Sequence, residues 1–313
     1  MPAFLRAVSS FLFLLLLLFS SGCTNRQSTY IDFSKAQENA AVDSTDSDNH
    51  LEQRPLLIAL ASVISPKETI GYYRAIAQHV AKATGRPTVL IQRKTYAEVN
   101  MLMSNGEVDI AFLSTGAYAS YRGMNEIELL VMAERSGNSL YTPDVIVHRD
   151  SEFQSLEDLQ GRTFAFTDPL SFSGHMVIED YLSRQNTVPE KYFKRFFYTY
   201  NHDKSLWAVA NKLVDGASID SQIYEYAKLR NPSLTEKIRI ISSLKPSPTG
   251  PVAISKRIPA EQKEALQQIF LNMNQTPETA EAMQQLIIDR FVLPQPDLYA
   301  PLKKIYDRSS VIL

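Results

Sequence analysis

Beginning at Pro55, short apolar runs alternate with stretches whose apolar residues recur every three or four positions. Residues 55–60, 89–91, 108–113 and 129–132 read as buried strands. Between the first two, Ile70, Tyr73, Ile76, Ala77 and Val80 carry a helical apolar face, with Gly85 where a C-cap belongs. Tyr96 stands at the start of the next helix, which ends near Gly106, and Ser114-Thr115-Gly116 opens another. Strands separated by helices predict an open, mainly parallel sheet covered on both faces. Ligands of such sheets bind beyond the carboxyl ends of the strands.

A second set of alternating elements starts at residues 145–147. Strand-like runs follow at 163–167, 196–198, 217–219 and 238–241, with helical patterns at 202–213 and 223–229. Pro246, Pro248, Gly250 and Pro251 then punctuate a return connection, and 252–254 reads as a strand going back. Helical segments near 260–274, 276–289 and 297–308 end the chain. Two similar α/β lobes, the second inserted into the first, need two crossing strands, and residues 141–147 and 251–254 fit those places. The cleft between such lobes is where a small ligand sits.

The stretch 162–175, RTFAFTDPLSFSGH, concentrates the binding chemistry. A β-rich run is broken by Asp168-Pro169, hydroxylated and small residues follow (Ser171, Ser173, Gly174), and a helical pattern begins with Val177, Ile178, Tyr181 and Leu182. A loop entering a helix points unpaired N–H groups and the positive end of the helix dipole at one spot, which suits a small oxyanion. The same serines equally suit an ordinary N-cap, the commoner use of Ser at this position. No Lys or Arg lies within 168–175, so an anion here is held by neutral dipoles and hydrogen bonds.

The chain opens with Arg6, an apolar run over residues 11–19 and then Ser20-Ser21-Gly22-Cys23. A charged start, a short apolar core and a small-residue exit describe an export signal. Cys23 is the single cysteine of the 313 residues, which excludes an intramolecular disulfide and a Cys-based metal site. Its place after Ser-Ser-Gly looks like a bacterial lipobox, with a lipid on the thiol and a membrane partner outside the cytoplasm. Residues 24–54 are polar and acid-rich, too poor in apolar groups to offset their ordering entropy, and read as a flexible tether. The expected organisation is a signal peptide over 1–22, lipidated Cys23 and tether over 23–54, and lobe 1 over 55–143. Lobe 2 covers 144–250, and 251–313 returns to lobe 1 with the C-terminal helices.

In this order the motifs resemble the phosphate/phosphite/phosphonate-binding family of ABC-transporter solute receptors, over roughly residues 57–306. The landmarks are Gly106-x-Val108-Asp109-Ile110-Ala111, Tyr141 ahead of Val145-Ile146-Val147-x-x-Asp150-Ser151, and Leu156-x-Asp158-Leu159-x-Gly161. Asp168-Pro169-x-Ser171-x-Ser173-Gly174 follows, and His202 ahead of Ala208-Val209-Ala210 and Val214-Asp215-x-Ala217 completes them. The resemblance implies a two-lobed type II periplasmic-binding-protein fold with two crossover strands. It also implies that Ser171, the N–H of Phe172, Ser173 and Gly174 hold the oxyanion. Tyr96, Thr115 and Tyr141 complete the contacts, His202 donates to an oxyanion oxygen, and Asp220 lies on a loop lining the cleft. Outside the resemblance, an Asp at the end of a strand more often caps the following helix.

Two departures from the family pattern matter. The loop usually reads Ser-Thr-Ser-Gly, and here Phe172 replaces Thr, removing a hydroxyl and adding apolar bulk. Receptors for aminoalkyl phosphonates pair the ligand ammonium with carboxylates, and the corresponding positions fall near Gln222 and Gly250, which are uncharged. An unpaired buried ammonium is costly. The expected ligands are therefore phosphate, phosphite or a short alkyl phosphonate, delivered by a single chain to an ABC permease in the cytoplasmic membrane. A receptor of the same fold that reports to a membrane signalling protein is the alternative. A Ser171- or Ser173-based hydrolase with His202 and Asp220 lacks the G-x-S-x-G elbow and is set aside. Net charge is −2 and no basic patch suggests nucleic acid. The five histidines are dispersed without ligand spacing, so neither a metal nor another cofactor is expected.

Overall fold

The computed structural model describes residues 54–309; the export signal, Cys23 and almost all of the tether expected from the sequence lie outside them. Two layered lobes are built from the alternating pattern. In the first, β1 (Leu56–Ala61), α1 (Pro66–Thr84), β2 (Thr88–Arg93), α2 (Tyr96–Ser104), β3 (Ile110–Phe112), α3 (Thr115–Ser120) and β4 (Ile127–Glu134) follow in order. The chain then leaves through β5 (Leu140–Tyr141) and enters the second lobe. That lobe comprises β6 (Pro143–His148), β7 (Thr163–Phe166), α4 (Val177–Ser183), α5 (Pro189–Tyr192), β8 (Arg195–Tyr198), α6 (His202–Ala210), β9 (Gly216–Asp220), α7 (Ser221–Arg230), α8 (Pro232–Thr235) and β10 (Ile238–Ser243). It returns through β11 (Ser247–Pro248) to β12 (Pro251–Ser255), α9 (Ala260–Leu271), α10 (Pro277–Gln285), β13 (Arg290–Val292) and α11 (Ala300–Arg308).

The first lobe carries a six-stranded sheet in the order β13-β4-β12-β3-β1-β2, the second a five-stranded sheet in the order β10-β6-β9-β7-β8. The expectation of mainly parallel sheets holds for β1–β3 and for β7–β9. Both sheets are nevertheless mixed, because β12 runs antiparallel to β3 and β4, and β6 antiparallel to β9. Each is the first strand after a crossing. A chain arriving from the other lobe enters at the cleft end of the sheet and must run opposite to strands that end there. The crossing itself is a two-stranded ribbon, Ser247 opposite Tyr141 and Pro248 opposite Leu140. It is shorter than the stretches 141–147 and 251–254 that the sequence suggested, whose remaining residues fall inside the two sheets.

Apolar residues alternate across the first sheet, as the two-residue period requires. Ile110 packs under α1 and α9 with Ile58, Val80 and Phe270, whereas Ala111 and Leu113 pack on the other face with Tyr96, Val99 and Tyr299. Two further clusters sandwich the second sheet. A fifth joins the lobes: Phe172 and Met176 pack with Ala119, Leu302 and Tyr306.

The lobes are closed on one another. Two carboxylates of lobe 2 meet the start of a lobe 1 helix, and a third, Asp180, lies 3.4 Å from the Arg308 guanidinium near the end of α11. Asp168 Oδ2 accepts the Tyr96 N–H at 3.1 Å, and Asp203 accepts the Ser65 N–H at 3.0 Å and the Ser65 hydroxyl. Negative charge at a helix start is favourable. The Asn201 amide donates to Ser62 O at 2.9 Å, His202 N–H to Val63 O at 3.1 Å and the Tyr306 hydroxyl to Leu170 O at 2.8 Å. Gly116 permits the approach: a Cβ there would run into Leu170 O, the Phe172 nitrogen and the Tyr306 hydroxyl. Among the described residues no helix is long and apolar enough to cross a membrane.

Candidate ligand-binding site

Where the strand ends of both lobes face each other, they enclose a cavity of about 130 Å³. An engineered apolar cavity of about 150 Å³ holds one six-carbon ring, so the space suits a solute of roughly five to seven heavy atoms. Of the nine residues singled out from the sequence, Tyr96, Thr115, Tyr141, Ser171, Phe172, Ser173, His202 and Asp220 all line it; Gly174 does not.

Tyr96 is placed by its cap. Thr95 Oγ1 accepts the Glu98 N–H at 3.2 Å and the Glu98 carboxylate accepts the Thr95 N–H at 2.8 Å, a reciprocal pair that fixes where α2 begins. The side chain is wholly buried, and among the described residues its hydroxyl has no hydrogen-bond partner. Burial, followed by the negative charge of Asp168 and Asp220, raises its pKa well above the usual phenol value, so the proton stays on. Such a hydroxyl is a donor waiting for an acceptor.

The loop after β7 doubles back on its own strand. Asp168 Oδ1 accepts the Leu170 N–H at 2.8 Å, Asp168 O accepts the Ser171 N–H at 2.8 Å, and Thr167 N–H donates to Gly174 O at 3.0 Å. Gly174 is needed for that return, because a Cβ would overlap the Thr167 side chain. The entry to α4 is a wide turn over Phe172–Met176, in which the Met176 N–H reaches five residues back to Ser171 O at 3.0 Å. Ser171 Oγ caps the turn by accepting the Gly174 N–H at 3.0 Å. The capping role and the cavity-lining position thus coincide: with its oxygen engaged, the Ser171 hydroxyl hydrogen is left to donate. Phe172 and Ser173 N–H, at the first positions of the turn, have no acceptor within it. The Ser218 hydroxyl donates to Ser173 O and pins the loop to β9.

The Phe172 ring packs in the cluster between Met176 and the lobe 1 residues Ala119, Leu302 and Tyr306. Phe172 therefore supplies an apolar contact between lobes while its backbone N–H stays at the head of the turn. Thr115 donates its hydroxyl to Pro248 O at 2.8 Å, which commits that hydrogen to the crossing ribbon. The Tyr141 hydroxyl has a raised pKa, mainly from burial and then from Asp220, tempered by the Thr115 and Ser173 hydroxyls and the Ser173 N–H.

His202 starts α6 and is buried. Its Nδ1 accepts the Asp220 N–H at 3.2 Å and lies 3.3 Å from Thr167 Oγ1. Accepting at Nδ1 puts the ring hydrogen on Nε2. Burial pushes the imidazole down to about 3, so it is a neutral donor at physiological pH. Asp220 ends β9 and caps α7, accepting the Gln222 N–H at 2.7 Å. Burial pushes its carboxyl up to about 7, and the Gln222 N–H opposes the rise. Asp220 thus caps a helix and lines the cavity at once. His175, directly after Gly174, does not line the cavity: its Nδ1 lies 2.8 Å from Pro169 O and its Nε2 3.2 Å from the Tyr198 hydroxyl.

Asp220 is the one carboxylate among the described residues lining the cavity, and no Lys or Arg lines it; Gln222 and Gly250 also border the space. Among the described residues no group of three or more His, Cys, Asp or Glu could hold a metal ion. Sequence reasoning missed an apolar wall from lobe 1, namely Tyr73, Phe112, Leu286, Ile288 and Phe291. Phe112 could have been found from its place at the carboxyl end of a strand. The other four carry no local signal.

The sequence profile of the family described as "ABC transporter, phosphonate, periplasmic substrate-binding protein" matches residues 58–299. The chain is 25% identical over 244 residues to the phosphonates-binding periplasmic protein of Escherichia coli (strain K12), covering 75% of this chain and 71% of that one. The crystal structure of a binding protein component of an ABC phosphonate transporter from Pseudomonas aeruginosa superposes with a TM-score of 0.75. That pair is 24% identical over 81% of this chain and 85% of the other. A Prochlorococcus marinus (MIT 9301) protein solved in complex with methylphosphonate gives a TM-score of 0.74 at 15% identity, over 82% and 98% of the two chains. The two-lobed type II fold is common to them.

Proposed function

Because the chain belongs to the family of periplasmic substrate-binding proteins of phosphonate ABC transporters, we propose that its lobes close on phosphate, phosphite or a short alkyl phosphonate. The captured ligand is passed to a permease in the cytoplasmic membrane. The observation that carries the ligand assignment is the buried Tyr96 hydroxyl, unpartnered among the described residues, in the same cavity as the Ser171–Ser173 turn, with no Lys or Arg among the described residues on the walls. A tetrahedral oxyanion accepts from the Ser171 hydroxyl and the Phe172 and Ser173 N–H groups on one lobe, and from the Tyr96 hydroxyl on the other. His202 Nε2 and the Tyr141 hydroxyl add donors beside them. Hydrogen bonds to an ionised acceptor are about twice as strong as neutral ones, which lets a site without cations hold an anion.

Asp220 sets the ligand's proton count. A carboxyl held near 7 by burial lies close to the second ionisation of a phosphoryl group, about 6. One proton is therefore shared between Asp220 and a ligand oxygen, and the fully ionised ligand beside an ionised Asp220 is disfavoured. Gln222 and Gly250 offer no carboxylate to a ligand ammonium.

Titration calorimetry with phosphate, phosphite, methylphosphonate, sulfate and 2-aminoethylphosphonate tests the reading. Tightest binding of 2-aminoethylphosphonate would contradict it. Since one polypeptide supplies both walls, a monomer suffices to bind, and size-exclusion chromatography with and without ligand checks this. Cys23, preceded by Ser-Ser-Gly, is read as the lipidated N-terminus left by removal of residues 1–22, with 23–54 spacing the lobes from a membrane on the periplasmic or extracellular side. A Cys23→Ser variant that stays in the membrane fraction would count against that anchor.

A further inference from the structure

The cavity has two chemically different flanks. Ala111 and Leu113 direct one face of the first sheet toward Tyr96, the flank that carries the hydroxyls and the Ser171–Ser173 turn. Phe112 points to the other face, where its ring meets Tyr73 edge-on at 5.2 Å and Phe291 at 6.4 Å. Leu286 and Ile288 close that flank. They are presented by Ile287, which ends the α10 turn with φ 59°. This left-handed conformation is a genuine outlier for a β-branched residue, and the side chain held there packs against the apolar cluster of lobe 2. The strained residue thus ties the apolar flank to the closed arrangement of the lobes. Across from it, lobe 2 presents Ile223 and uncharged Gln222.

Phosphite has four non-hydrogen atoms and phosphate five, and neither has an apolar surface to place against this wall. A cavity of about 130 Å³ has room for two or three more carbons. We propose that Tyr73, Phe112, Leu286, Ile288 and Phe291 form a subsite for an uncharged hydrocarbon substituent, making the favoured ligand an alkyl phosphonate of two or three carbons. The subsite rests on the oxyanion reading given above, since it needs the phosphoryl group seated at the Ser171–Ser173 turn. It also gives that reading a direction: discrimination comes from the carbon-bearing side of phosphorus.

The test is calorimetry on the purified full-length protein with phosphite, methyl-, ethyl- and propylphosphonate, and 2-aminoethylphosphonate, which matches propylphosphonate in size. Affinity should rise about four-fold for each added methylene, the equivalent of about 0.8 kcal/mol per buried CH₂. The aminoethyl compound should bind at least about ten-fold more weakly than propylphosphonate, because Asp220, the one carboxylate among the described residues lining the cavity, is engaged with a phosphoryl oxygen and the apolar wall offers the ammonium no partner. In an Ile288→Thr variant, the ratio of propylphosphonate to phosphite affinity should fall several-fold. A role in folding alone would weaken both ligands alike, and Leu286→Asn repeats the measurement at the neighbouring position. Affinity that declines from phosphite to propylphosphonate, or an unchanged ratio in both variants, overturns the subsite and leaves the oxyanion site standing. Absence of binding by every phosphorus compound would instead remove the reading beneath it.

Discussion

Replacing Tyr96 by Phe deletes one oxygen, and the structure sets opposite signs for its two consequences. The hydroxyl is buried in the closed protein without a partner, and a stranded buried donor costs about 1–3 kcal/mol. Closing without ligand is therefore penalised by roughly that amount, and the penalty is lifted when an oxyanion accepts the hydrogen. In Tyr96→Phe, closure of the ligand-free protein becomes easier, and its melting temperature holds or rises. Binding loses a hydrogen bond to a charged group, worth about 1.5–3 kcal/mol, so methylphosphonate affinity drops roughly 10- to 150-fold. Calorimetric titration measures the second effect, and small-angle scattering with a thermal melt of the ligand-free protein measures the first. Because the phenol pKa is raised, neither should depend on pH between 6 and 8. A variant that binds as tightly as the parent, or one that loses melting temperature without ligand, would refute this account of the residue.

His202 makes acid stability testable. Its folded pKa of about 3 lies below the unfolded value near 6.5, so its contribution is complete above pH 6.5 and is lost as pH falls toward 3. By pH 5 the loss is about 2 kcal/mol, or roughly 4–8 °C of melting temperature, and a His202→Gln variant should lack this part of the fall; an equal fall in both would exclude the residue. Phe172→Thr adds a hydroxyl but empties the contact with Leu302 and Tyr306. The ligand-bound form should lose more melting temperature than the free form, and equal losses would mean that the ring serves lobe 2 alone. With no Lys or Arg among the described residues lining the cavity, affinity should change less than about three-fold between 50 and 500 mM salt. A collapse over that range would point to a cation in the site.

Local signals were the legible ones. The serine-rich turn, Tyr96 at a helix start and Asp220 at a strand end each sit where strand meets helix, and the sequence marks those junctions with capping residues and Gly. The two-lobed fold follows from alternation of apolar runs. The crossing ribbon was misjudged because two residues on each strand carry no period. The antiparallel β12 could not be distinguished from a parallel strand, since both are apolar throughout when buried on two faces. The wall formed by Leu286, Ile288 and Phe291 comes from a segment remote in sequence from Tyr73 and Phe112, and only the closed tertiary fold brings them together. Phe172 reads as an intrusion in the binding loop until Leu302 and Tyr306 are seen to receive it.

Tyr141 belongs to the crossing ribbon and to the cavity at once. A body turning about an axis moves its parts in proportion to their distance from that axis. Tyr141 therefore travels least when the halves swing apart, while Tyr96 and the Ser171–Ser173 turn are carried to opposite banks. One residue thus belongs both to the bearing on which the jaws turn and to the space they close on.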